Sequence, residues 1–235
     1  MPLFLPALGV SNSNELGLIL GSTLLGGIPG IFIAAWTADK FGRRFNLAFG
    51  GVIIIGGAIM QALVTGGWKL MGGKIILGFG SSFQSVAAGP YVAEVAHPRN
   101  RPQVTALINT FYYVGSVIAA WTTYGTLQGL SGDWTWRLPL LLQAAPSVIT
   151  LALVLVVSES PRWLFSKGRT DEAHMVLAKY HANGKMDDEM VLHELAEIKE
   201  ALELEKLATA VSYKTFTSTR GNKHRLAILI VSWLF

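Results

Sequence analysis

Five long stretches of the chain carry no charge. Leu16 to Ala38, Phe45 to Trp68, Ile75 to Ala93, Pro102 to Gly132 and Leu138 to Ser158 contain no Asp, Glu, Lys or Arg. Hydrocarbon offers the backbone no hydrogen-bond partner, so a chain crosses it as a helix of roughly 20 predominantly apolar residues. The pattern predicts five spanning helices, at about 16–38, 45–68, 71–93, 104–127 and 137–158. The fourth stretch exceeds one crossing, so its ends include loop. A sixth apolar run, Leu226 to Phe235, has about half the length a crossing needs.

Between the fifth and sixth runs lies Glu159 to Arg225, which holds most of the acidic residues. Its periodicity predicts two amphipathic helices. In the first, Thr170 is the expected cap, Asp171 and Glu172 fill the first turn, Ala173, Val176, Leu177 and Tyr180 share a face, and Gly184 ends it. In the second, Val191, Leu195, Ile198 and Leu202 recur at helical spacing. Such helices lie on the ends of the spans, on a partner, or stand as a solvated linker pair; pattern alone does not choose.

Charge sets the orientation. Lys40, Arg43 and Arg44 follow the first predicted span, Arg99 and Arg101 follow the third, and eleven more basic residues follow the fifth, whereas the opposite loops hold Lys69, with Lys74 and Arg137 at their edges. Loops rich in Lys and Arg stay in the cytoplasm, and tryptophan favours the interface, which places Trp68, Trp134 and Trp136 at the outer surface and residues 159–225 inside. This orientation puts Met1 to Glu15 outside without a basic n-region, h-region and cleavage site. We therefore expect one span upstream and more chain downstream, the sequence being spans two to six and the start of a seventh.

Composition agrees with a membrane protein. With 51% hydrophobic and 14% charged residues and a mean hydropathy of +0.43, the chain is far from soluble domains, which average about a quarter charged. The net charge of +4 does not indicate nucleic acid, because the basic residues sit between apolar runs and not on one wet face. There is no cysteine, and the five histidines are scattered, so no metal centre, cofactor or enzymatic constellation is expected. No phosphate-binding G-x-x-x-x-G-K-[ST] occurs, and "GFGSSF" lies inside a span. Gly26 and Gly30 on one span, and Gly78, Gly80, Ser81 and Ser82 on another, read as helix-packing positions.

Five motifs in order resemble one family. "ADKFGRR" resembles D-R-x-G-R-R, "GGKIILGFG" resembles G-R-x-x-x-G-x-G, and "PYVAEVAHPRNR" resembles P-x-Y-x-x-E-x-x-P-x-x-x-R-G. "WRLP" resembles the start of the sixth span, and "SESPRWLFSKGRTDEA" resembles P-E-S-P-R-W-L followed by G-R-x-x-E-A. These are signatures of the sugar porters of the major facilitator superfamily, and among them the chain resembles fungal transporters of hexoses and of disaccharides such as lactose. The resemblance implies the N-terminal half of an all-α membrane transporter, with a helical linker after it.

Residue roles follow from the resemblance alone. In the family, cytoplasmic acids and arginines link the two halves of the outward-facing carrier; here that gating role falls on Asp39, Arg43, Arg44, Glu94, Arg101, Glu159 and Arg162. The competing reading is a positive-inside anchor with solvated ion pairs worth ~0 to 1 kcal/mol each. Lys74 stands where proton-coupled relatives have an arginine partnered by an aspartate on the first span; the alternative is a lysine snorkelling to the outer interface. Asn109 stands where the family's sugar-binding glutamine does, with Tyr112 and Ser116 on the same side of the helix; an amide both donates to and accepts from sugar hydroxyls. Its alternative is a hydrogen bond between helices, and Gln84 and Gln143 are lesser candidates.

The function expected on this basis is alternating-access transport of a hexose or disaccharide, proton-coupled or facilitative, with no enzymatic step and no cofactor. The partners are a sugar, the lipid bilayer and, if coupled, protons, with no nucleic acid; the expected location is the plasma membrane. A sugar sensor on the same fold and an inactive fragment are the rival readings.

Overall fold

The computed structural model describes residues 13–208 together with 219, 221–225 and 228. Among the described residues the regular elements are helices: α1 (Ser13–Phe41), α2 (Arg43–Leu63), α3 (Gly67–Val95), a 3-10 turn (Pro98–Asn100), α4 (Arg101–Gly129), α5 (Trp134–Leu142), α6 (Ala145–Val156), α7 (Pro161–Ser166), α8 (Thr170–His181) and α9 (Glu189–Ala208). The apolar run at 226–235 lies almost wholly outside the described residues.

Among the described residues four segments are long and apolar enough to cross a membrane: Asn14–Phe41, Arg43–Leu63, Pro98–Gly129 and Trp134–Val156. Of the other helices, α3 is the longest, with 29 residues, about 43 Å at 1.5 Å per residue. It is packed between α1 and α2, so several of its residues meet protein, and it carries glycine, serine and glutamine where a lipid-facing helix needs apolar side chains.

The close approach of these three helices depends on glycine. A Cβ on Gly26 of α1 would overlap the Ile75 carbonyl of α3, and one on Gly78 would overlap the Thr23 carbonyl of α1. Ser82 Oγ donates to the Gly27 carbonyl across the same contact at 2.9 Å. On the other side of α3, a Cβ on Gly50 would come within 2.7 Å of the Gly80 carbonyl oxygen. Without a hydrophobic drive between helices in lipid, such backbone contact supplies the dispersion and hydrogen bonding that hold them. The packing role expected for these glycines is thus the one they have.

Two apolar clusters finish the bundle. Ile19, Leu70, Trp136 and Leu140 join α1, α3 and α5, and Leu47, Ala87 and Val154 join α2, α3 and α6. Trp136 is 2% exposed. Its expected interfacial position is therefore corrected, because α5 turns the ring onto Ile19 and Leu70; Trp68 and Trp134 are exposed. The fifth span is also not one regular helix. It breaks at Gln143–Ala144, where Pro146 lacks the N–H that would bond to the Leu142 carbonyl.

Beyond the bundle, Ser160 caps α7 by accepting the Trp163 N–H at 3.2 Å. The cap expected at Thr170 is corrected: Arg169 holds the cap position of α8 without a side-chain bond, and its guanidinium instead binds Glu172 in the first turn at 2.5 and 2.7 Å. That bond holds the Glu172 carboxyl below the usual carboxylate range. Leu177, Ala182, Val191, Leu195 and Ile198 form a small core between α8 and α9, so the two amphipathic faces cover each other.

Candidate functional site

The end of the bundle that carries Lys40, Arg43 and Arg44 also receives the end of α3, the start of α4, the end of α6 and the segment 158–163. Gly42 makes the turn between α1 and α2 at φ +101°, a left-handed conformation, and a Cβ there would overlap the Glu159 carboxylate. Lacking a side chain, Gly42 cannot cap α2, and Glu159 does so from 116 residues away. Its oxygens accept from the backbone N–H of Arg43 at 3.1 Å, Arg44 at 3.2 Å and Ser160 at 3.0 Å. A carboxylate is favoured there by the orphan N–H groups and by the helix dipole.

Arg44 performs the opposite service for α6. Its Nε donates to the Val154 carbonyl at 2.6 Å and its Nη2 to the Leu155 carbonyl at 3.2 Å, at the end where α6 leaves carbonyls unpaired. Two residues expected to link separate halves are therefore both engaged within this bundle, α2 and α6 each finishing the other.

Arg43 is the centre of the remaining charge. Its Nη1 donates to the Ala38 carbonyl at 3.1 Å and lies 3.4 Å from Asp39 Oδ1, while its Nε and Nη2 face Glu94 at 3.4 and 3.5 Å. The Arg43 and Glu94 side chains are 18% and 13% exposed, and Asp39 is open to solvent. Ser160 Oγ donates to Glu94 Oε2 at 2.5 Å. The contact with Ser160 is tight; those with Arg43 are looser than the 2.7–2.9 Å usual for charge-assisted bonds. Arg162 pairs with Glu205 of α9 at 3.1 Å, both partly exposed. Arg101 is exposed and makes no ion pair among the described residues.

Several contacts were not legible from the motifs. Ser160 lies inside "SESPRW", yet nothing in the string says its hydroxyl reaches Glu94. The Trp163 indole N–H donates to the Asp39 carbonyl at the end of α1 at 3.1 Å, and Tyr91 O–H donates to the Ser158 carbonyl at 2.6 Å. Tyr180 also touches Ser158, and that hydrogen bond holds its phenol below the usual range.

The expected sugar contacts are arranged differently. Asn109, Tyr112 and Ser116 lie on one side of α4, all exposed, and none is hydrogen-bonded to another helix among the described residues. Thr126 is the buried residue of α4, so this helix is almost uncovered by the described chain. Lys74 is half-buried on α3 with no carboxylate in pairing range among the described residues. Gln84 donates to the Leu47 carbonyl at 3.4 Å, a packing contact, and Gln143 lies exposed at the break between α5 and α6. The described residues contain no cluster of three metal-ligating side chains.

Comparison with known proteins agrees with this architecture. The model of the family "Sugar (and other) transporter" matches residues 7–235. A high-affinity glucose transporter of Kluyveromyces lactis is 32% identical over 206 residues, covering 87% of this chain and 37% of that protein. High-affinity glucose transporter 1 of Candida albicans is 31% identical over 222 residues, covering 94% of this chain and 41% of its own. Thus the chain spans less than half the length of these relatives. Among solved structures, the proton:xylose symporter XylE bound to 6-bromo-6-deoxy-D-glucose superposes with a TM-score of 0.76 at 22% identity, covering 90% of this chain and 50% of that one. XylE from E. coli in a partially occluded inward open conformation gives 0.74 at 23% identity, covering 81% and 49%. The helix order, the glycine contacts and the charged end thus meet in one conclusion: the chain belongs to the sugar transporter family of the major facilitator superfamily, whose solved members it matches over about half their length.

Proposed function

We propose that the full-length protein moves a sugar across the plasma membrane by alternating access, and that this chain supplies its first half, with the charged end and residues 159–225 in the cytoplasm. The observation that carries the reading is Arg43, held between Asp39 and Glu94 by contacts of 3.4 to 3.5 Å. A gate needs groups that hold one state without locking it. Loose, partly buried contacts leave these groups able to take additional partners from a second half of the carrier in one state and lose them in the other, which biases two states that differ by a few kcal/mol. Glu94, Arg101 and Arg162 line a shared cavity and belong to the same gate.

Sugar is the proposed cargo because the relatives include glucose transporters and because α4 presents an amide, a phenol and a hydroxyl on one uncovered side. Asn109 is the proposed principal contact, with Tyr112 and Ser116 beside it. Lys74 is the candidate for proton coupling. The test is uptake of labelled glucose, xylose and lactose by the full-length protein in proteoliposomes, with and without an inward proton gradient. Saturable uptake of at least one sugar is expected. Folded protein that exchanges none of the three would overturn the reading, and stimulation by the gradient distinguishes coupled from facilitative transport.

A further inference from the structure

Away from the charged turn, the structure buries another pair of titratable groups. His181, the last residue of α8, has a side chain 2% exposed, and Glu194 of α9 one 8% exposed. His181 Nδ1 lies 2.7 Å from Glu194 Oε2, and its Nε2 lies 3.1 Å from the carbonyl oxygen of Val95, the last residue of α3. One imidazole therefore joins both helices of the 170–208 segment to the bundle, at the residue next to Glu94.

Hydrogen-bond chemistry counts the protons. A carbonyl oxygen only accepts, so Nε2 carries a hydrogen, and an ionised carboxylate also only accepts. A neutral imidazole has a single N–H and cannot serve both partners. The 2.7 Å contact therefore needs a second proton, on Nδ1 or on the carboxyl group. Glu194 Oε1 is buried with no partner among the described residues, and among them the bond to His181 is the compensation this carboxyl group has for leaving water.

We propose that His181, Glu194 and the Val95 carbonyl form a proton-dependent clamp, which docks α8 and α9 onto the end of α3 and loosens when one proton leaves. The charged surroundings do not supply this proton count by themselves. His97 lies with its ring 5.3 Å from that of His181 and accepts the Arg99 N–H on its own Nδ1. Glu94, Glu197, Arg101 and Arg162 share with Glu194 the wall of a cavity of about 300 Å³, two acids against two guanidiniums. The docked state holds one proton more than an undocked imidazole and carboxylate above the ordinary imidazole value of about 6.5. By linkage, docking is strongest between the ordinary carboxylate and imidazole values, about 4.3 and 6.5, and weakens up to tenfold for each pH unit above that range.

Lys40→Cys and Lys199→Cys, both at exposed positions, supply the spin-label pair; this chain brings no cysteine of its own, and any cysteine elsewhere in the full-length protein is first replaced by serine. The full-length protein in lipid nanodiscs is measured by pulsed dipolar spectroscopy at pH 6 and pH 8.5, a readout that does not depend on transport. A narrow distance distribution is expected at pH 6, with the undocked fraction rising about tenfold or more at pH 8.5. Glu194→Gln is the deciding variant. Its amide donates to Nδ1 of a neutral imidazole whose Nε2–H keeps the Val95 bond, so docking should be tight at both values. His181→Phe should be undocked at both. Any of three results overturns the clamp: a parent distribution unchanged with pH, a Glu194→Gln distribution that broadens as the parent does, or a Glu194→Gln distribution already broad at pH 6.

Discussion

Replacing Glu159 by alanine should destabilise the bundle through the end of α2. The carboxylate accepts the N–H groups of Arg43, Arg44 and Ser160, and Gly42 has no side chain to take its place. Loss of an N-cap costs about 0.5–2 kcal/mol, and loss of a negative charge at a helix N-terminus about 0.3–1 kcal/mol. The sum is about 1–3 kcal/mol, which lowers the melting temperature of a chain this size by roughly 2–4 °C for each kcal/mol. Thermal unfolding of the full-length protein in detergent, followed by tryptophan fluorescence, reads this directly. Glu159→Gln keeps an acceptor and should lose only the dipole part, about 0.3–1 kcal/mol. Gly42→Ala should cost about 1–3 kcal/mol for its left-handed backbone alone, and it also displaces the carboxylate. Since both changes dismantle one cap, the double variant should lose less than the sum of the singles. A Glu159→Ala protein that melts within about 1 °C of the parent, or strict additivity with Gly42→Ala, would refute the cap.

Glu94→Ala and Arg101→Ala should favour the inward-open state and slow uptake with insertion intact; unchanged uptake together with unchanged accessibility labelling would leave only an anchoring role. Asn109→Ala should weaken apparent sugar affinity about tenfold, the loss of one or two hydrogen bonds of about 0.5–1.5 kcal/mol each, while Asn109→Gln stays mild or shifts preference among sugars. A fall in protein amount with affinity unchanged would remove Asn109 from the site. Gly26→Leu or Gly78→Leu should abolish the α1–α3 contact and the yield of folded protein, whereas Gly17→Leu, where a side chain meets nothing within 4 Å, should be tolerated in the same expression assay. Reporters fused after Gly67 or Ser131 should lie outside and those after Phe45, Arg101 or Gly184 inside, and an inverted pattern would undo the orientation.

Element positions were legible because their cause is local. Uncharged runs mark where helices lie, and α1 to α4 fall within a few residues of the stretches that predict them. Glycine spacing likewise located the α1–α3 contact, since only a missing side chain lets two backbones touch. What stayed hidden depends on direction in space. Trp136 follows the same pattern as Trp134, yet a rotation of the short helix α5 puts one ring in the core and the other outside. The charged residues were recognisable as a group, but counting charges does not say that Glu159 and Arg44 bind backbone ends while Arg43 binds side chains. Ser160 and Trp163 were missed because a hydroxyl and an indole beside a charged motif carry no periodic signal.

The exchange between α2 and α6 limits how this half can move. Glu159 holds the first N–H groups of α2, and Arg44 holds the last carbonyls of α6, so each helix is fixed along its own axis by a side chain anchored near the other. Sliding either helix by even one residue, about 1.5 Å, would strip partners from both ends at once. Rocking of the whole bundle about an external axis strips none. Shear between these two helices is therefore the costly mode and rigid-body rotation the cheap one, so a conformational cycle should leave the α2–α6 distance constant while the bundle swings as a unit.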